Sequence, residues 1–136
     1  LAAHRVRLLG GLILALMAGM AIACGQCIED LVAASYDYGV VLQARRDDLR
    51  IAFFEVEGRL AQSPQSADLV ATALKETGGV TPGTVRVSIS PAATSFAWSD
   101  REASLDAIRK TINDLLATHS LHLKLLRTWD SSAGFH

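Results

Sequence analysis

Cysteine is almost missing from this chain, and its only two copies fall in one four-residue stretch, Cys24-Gly25-Gln26-Cys27. That scarcity excludes a disulfide framework and a closed four-thiolate zinc site. Aromatic residues are sparse at 6 %, and basic residues are in no excess, with 13 Lys and Arg against 14 Asp and Glu. Such a balance gives no electrostatic reason to expect nucleic acid, whose phosphates demand a basic surface. Phosphate-binding loops, nucleophile–His–acid patterns and paired catalytic carboxylates are also missing, which argues against an enzyme. Internal repeats and low-complexity tracts are absent as well.

Long apolar runs are limited to one. Arg5 and Arg7 precede an uncharged stretch from Leu8 to Ala23 that contains Gly10, Gly11 and Gly19. A basic start, a short apolar core and small residues at its end form an export signal. The run falls short of the roughly 20 residues that cross a bilayer as a helix, so a removed signal is favoured over a retained anchor. Ala21-Ile22-Ala23 is a small-x-small site that places the cut before Cys24. The same residues form a weak lipobox, in which Cys24 would carry the lipid. Either route puts the protein outside the cytoplasm, in the periplasm or beyond. Loss of residues 1–23 removes two arginines and no acid, leaving eleven basic against fourteen acidic residues, a net charge of −3.

After Cys27, Ile28, Leu31, Val32, Tyr36, Val40 and Leu42 recur mainly at three- and four-residue steps, which predicts one helix reaching about Arg46. Ile51 to Val56 is short, apolar and rich in β-formers, hence a strand. Gly58 to Gln65 is a loop. Ser66 is positioned to cap a helix running to about Thr77, which Gly78-Gly79 stops. Thr84 to Ser90 alternates through Val85, Val87 and Ile89, and Thr94 to Ser99 through Phe96 and Trp98. A further helix from about Glu102 or Leu105 to Thr118 turns Leu105, Ile108, Ile112, Leu115 and Leu116 inward. Leu121, Leu123 and Leu125 form a last strand, and the tail 131–136 is expected to be loose.

Strands with an apolar face and two amphipathic helices require two layers. The order β-α-β-β-α-β is the ferredoxin-like split unit, an α+β sandwich, here preceded by the signal segment and an extra helix. The expected organisation is 1–23 signal peptide or anchor, 24–48 Cys-x-x-Cys segment and extra helix, 49–130 domain, and 131–136 tail.

From about Leu49 to Arg127 the sequence resembles the heavy-metal-associated (HMA) domain family. The resemblance is carried by Val56-Glu57-Gly58 closing the first strand, Gly79-Val80 before Val85-Arg86-Val87, and Trp98-Ser99-Asp100. Ser104-Leu105-Asp106-Ala107-Ile108 and the Leu-rich final strand complete it. The resemblance implies a soft-metal site with Cys-x-x-Cys in the loop after the first strand. This chain has Ser63 and Ser66 there, and serine hydroxyls are poor ligands for Cu(I) or Hg(II). Ser66 therefore reads as a helix cap rather than a ligand.

The Cys24–Cys27 pair keeps three readings open. It is a thiolate metal site for Cu(I) or Zn(II), with the Cys24 amine or the carboxylates of Glu29 and Asp30 assisting. It is a thiol–disulfide redox pair, although thioredoxins need a strand before that motif. Or it is an inert disulfide or a lipidated Cys24 beside a leftover Cys27. His119 and His122 have ligand spacing but no companion thiol or carboxylate, so His119 is assigned to the end of its helix and His122 to solvent. Tyr36-Asp37-Tyr38 is expected to pack one ring and expose the other, and Glu55 and Glu57 to form a solvated face.

The sequence thus points to an exported, non-catalytic metal-handling accessory protein with Cys24 and Cys27 as metal ligands. The alternative is a metal-independent protein-interaction module on an HMA-like fold. The partners expected are a soft metal ion and a protein, with no nucleic acid, and with membrane contact only through the N-terminal segment or a lipidated Cys24.

Overall fold

The computed structural model describes residues 27–136; the expected signal segment 1–23 and Cys24 lie outside the described residues. Nine elements follow in order: α1 (Ile28–Ser35), α2 (Tyr38–Asp47), β1 (Arg50–Gly58), α3 (Pro64–Lys75), β2 (Arg86–Ser88), β3 (Ala93–Trp98), α4 (Leu105–Ala117), β4 (Leu121–Asp130) and β5 (Gly134–Phe135). The strands form one antiparallel sheet in the order β2-β3-β1-β4-β5. From β1 to β4 this is the ferredoxin-like β-α-β-β-α-β unit that the sequence predicts.

Helices α3 and α4 cover one face of the sheet. Val70 and Leu74 of α3 and Ile108, Ile112 and Leu116 of α4 close on Ala52, Phe54 and Val56 of β1 and Phe96 and Trp98 of β3. Leu115, expected to face inward, is instead 41 % exposed. It lies one position beyond the buried 108–112–116 stripe, at the edge of the face α4 turns to the sheet. Gly79 ends the turn after α3 with φ of 95°, and a Cβ there would meet Ala103 and Ile108 within about 3 Å. Glycine is therefore required by both backbone and space.

The opposite face is covered too. Val32 of α1 and Val40, Val41 and Ala44 of α2 pack onto Ile51 and Phe53 of β1, Ala97 of β3 and Trp129 of β4. β1 is buried on both sides, which is why it reads as an unbroken apolar run rather than an alternation. The domain therefore carries a third layer beyond the expected two-layer unit.

The single extra helix of the sequence reading is two helices. Tyr36 leaves the helical region (φ −71°, ψ 135°) and Asp37 caps the second helix, its Oδ1 accepting from Gly39 N at 2.7 Å. A side chain that satisfies a free helix donor favours a new start over continuation.

Two further boundaries differ from expectation. β2 is only three residues long: before it Thr84 Oγ1 donates to Thr81 O and accepts from Ala97 N, and after it Ile89 and Ser90 lie in a turn. The tail is not loose. β5 pairs with β4, Thr128 and His136 exchange backbone hydrogen bonds, and the Phe135 ring lies 5.6 Å from Phe53 and 6.5 Å from Tyr36.

Candidate metal centre

The loop between β1 and α3 is where the HMA resemblance places metal-binding thiols. Here Ser63 is the N-cap of α3, its Oγ accepting from Ser66 N at 3.4 Å, and Pro64 occupies the first turn. The cap is therefore Ser63, not Ser66 as the sequence reading had it. Pro64 explains the shift, because it lacks an N–H and suits the first helical position directly after a cap. The two hydroxyls stand 3.2 Å apart and share a hydrogen bond. The spacing that would bring two thiols together is kept, but its atoms are occupied in starting a helix. Among the described residues no group of three or more His, Cys, Asp and Glu side chains is arranged to hold a metal ion.

Cys27 is exposed and forms the N-cap of α1. Its carbonyl accepts from Asp30 N at 3.0 Å and Leu31 N at 3.2 Å, while its thiol makes no capping bond. Backbone bonds thus fix the residue, and among the described residues the sulfur has no partner. Glu29 is engaged elsewhere, its Oε1 3.1 Å from the Arg127 guanidinium on β4. Asp30 is exposed in the same turn. Of the two carboxylates named as auxiliary ligands, Asp30 is the one without an ion pair among the described residues.

His119 and His122 are not brought together. His119 borders a hollow between α3 and α4 of about 430 Å³, with Asp68, Glu76 and Leu115. His122 borders a different hollow, between α4 and β4, with Asn113 and Lys124. The backbone N–H of His119 bonds to Leu116 O, and His122 is exposed between buried Leu121 and Leu123, both in keeping with expectation. Neither histidine is part of a ligand cluster. Glu57 faces Lys124 across the strands at 3.9 Å, as a solvated pair.

The polar contacts that the sequence did not reveal lie in the third layer. Arg86 on β2 donates from Nε to Asp37 Oδ2 at 2.8 Å. That bond, the Gly39 N–H and the nearby positive charge together hold the Asp37 carboxyl below its usual range. Ser95 of β3 donates to Ser35 O at 2.7 Å, tying the end of α1 to the sheet. At the β4–β5 turn, Asp130 accepts from the Ser132 hydroxyl and from the Ser132 and Ala133 N–H groups, which lowers its pKa to about 2. The Ser132 hydroxyl bond is the largest of these causes. An Asp followed two and three residues later by free N–H groups is a turn signal legible in Asp130-Ser131-Ser132-Ala133.

No protein-family model matches the sequence, and no curated protein matches it. Several solved structures are similar to part of this chain, among them the following three. The copper-binding domain of HMA7, a P-type ATPase, shares 17 % identity over 57 % of this chain and 93 % of that one, with a TM-score of 0.46. Oxidized MerP from Ralstonia metallidurans CH34 shares 16 % over 57 % and 96 %, with a TM-score of 0.45. The N-terminal domain of a potential copper-translocating P-type ATPase from Bacillus subtilis, in its Cu(I)-loaded state, shares 22 % over 63 % and 98 %, with a TM-score of 0.47.

Proposed function

We propose that this chain is an exported accessory protein that handles a soft metal, with Cys24 and Cys27 as ligands and the ferredoxin-like body as scaffold. The observation that carries the reading is the position of Cys27. Its thiol is exposed at the start of a helix packed on the sheet and makes no capping bond there. Cys24, three positions before it in the chain, supplies the second sulfur. Two thiolates suit Cu(I), and with one or two oxygen or nitrogen donors they suit Zn(II). Asp30 is the nearest carboxylate in sequence that is free to assist. In the periplasm the pair must be kept reduced or metal-loaded, since neighbouring thiols otherwise oxidise.

The test is an anaerobic Cu(I) competition titration of the reduced chain. One tightly bound ion per chain, lost in the Cys24→Ser/Cys27→Ser variant, is the expected result. No binding, or binding indifferent to both substitutions, overturns the proposal.

One observation favours the rival reading, a metal-independent interaction module: the serines of the β1–α3 loop are spent on capping. Its usual surfaces are reduced here. The sheet face is covered by α1 and α2, and at the β4 edge the Leu123 N–H is taken by Asn113 Oδ1 at 2.8 Å.

A further inference from the structure

Six large apolar side chains are exposed among the described residues: Ile28, Tyr36, Tyr38, Leu42, Phe135 and Leu115. Five of them belong to α1, the α1–α2 corner, α2 and β5, whereas Leu115 stands alone on the α3–α4 side. Tyr36 and Tyr38 are the only tyrosines in the chain. Tyr38 and Leu42 are four residues apart on α2, so they share one face of it, opposite buried Val40 and Ala44. Tyr36 leans on the Phe135 ring. Exposed apolar groups gathered on one layer mark a contact surface, whereas scattered ones need no explanation.

The sequence says what lies next to this layer. The apolar run Leu8–Ala23 ends four residues before Ile28. Five extended peptide steps span at most about 17 Å, so an anchored run would hold the first turn of α1 within that reach of the bilayer. The charge on the layer does not oppose approach. Of its five carboxylates, Glu29, Asp37, Asp47 and Asp48 are paired with Arg127, Arg86, Arg46 and Arg101. Tyrosines beside aliphatic tips suit the boundary between headgroups and acyl chains.

We propose that the α1–α2–β5 face lies against a phospholipid bilayer surface, seating the domain flat beside its own N-terminal segment. The proposal rests on the second of the two sequence readings, in which residues 8–23 are retained as an anchor rather than removed as a signal. The orientation would place Cys27, at the first turn of α1, close to the lipid surface and turn the α3–α4 face toward solvent.

The experiment is hydroxyl-radical footprinting of the full chain in phosphatidylcholine vesicles, after flotation. Tyr36 and Phe135 are read against Leu115 as an internal reference, in the wild type and in the Tyr38→Lys/Leu42→Lys variant, whose substitutions are on the surface. The expected result is that both residues are labelled about threefold or more slowly in the wild type, since docking buries side chains several ångströms into the interface. Equal labelling in the two floated chains overturns the docking inference alone. A chain that does not float removes the anchor reading and the inference with it. Protection that disappears when the protein is diluted in lipid identifies a second copy as the occupant and overturns the bilayer.

Discussion

Arg86 on the short edge strand β2 and Asp37 at the corner between α1 and α2 are joined at 2.8 Å, forty-nine positions apart in the chain. This contact clips the added helical layer to the far side of the sheet, while Glu29 and Arg127 clip its beginning to β4. Asp37 serves two purposes at once, as the cap of α2 and as the partner of Arg86. Asp37→Ala is expected to lower the thermal midpoint by several degrees. Asp37→Asn, which retains an oxygen acceptor for Gly39 N–H, should lower it distinctly less. Equal losses in a melting experiment would show that capping contributes nothing.

Acid should weaken the same layer. Asp37 and Asp130 both have folded-state pKa values below the ordinary 3.8, Asp130 at about 2. A depressed carboxyl contributes stability that is complete above the unfolded value and disappears as pH falls through the folded one. Stability is therefore predicted to fall as pH drops from about 4 towards 2. Asp130→Asn should flatten that dependence, at the cost of lower stability near neutrality. Chemical denaturation at stepped pH reads the slope directly.

Phe53 and Phe54 point to opposite faces of β1 and are both about fully buried. Replacing either by Ala is expected to cost about 3–5 kcal/mol, the range for a large buried aromatic. In a sandwich with one open face, only Phe54 would carry such a cost. A urea titration that finds Phe53→Ala nearly neutral would refute the third layer.

The serine loop offers a constructive test. Ser63→Cys/Ser66→Cys places two thiols where the hydroxyls now stand 3.2 Å apart. The double variant should gain one Cu(I) site in a Cys24→Ser/Cys27→Ser background. Loss of the cap should cost about 1 kcal/mol of stability. If no copper is bound, the loop differs from the HMA loop in more than its two serines.

The β-α-β-β-α-β order was legible from the alternation around Val85–Val87–Ile89, the helical stripe Ile108–Ile112–Leu116 and the short apolar run Ile51–Val56. The third layer was signalled but not decoded. Ile51-Ala52-Phe53-Phe54 is apolar on both faces, and that pattern means cover on both faces. On β3 the second face carries Ser95 and Ala97, whose small or polar side chains look solvated yet are 2 % and 0 % exposed, because α1 crosses closely above them. The α1–α2 break was hidden since Asp37 sits within a stripe whose apolar spacing continues past it. Cap positions shifted by three residues for a similar reason: Ser63 and Ser66 are equally good caps, and only Pro64 between them selects the first. Of the candidate site, Cys27 lies at the predicted position at the head of a helix, and the two histidines stay apart as expected. The Asp37–Arg86 and Ser95–Ser35 contacts join residues too distant in sequence for local pattern to reveal.

The second core has a consequence for the order in which the chain can fold. Val32, Val40 and Val41 are among the first described residues to be synthesised, yet the surface they bury against includes Trp129 of the last long strand. Until that strand exists, the helical pair has no completed sheet to rest on, and closing so long a loop is entropically slow.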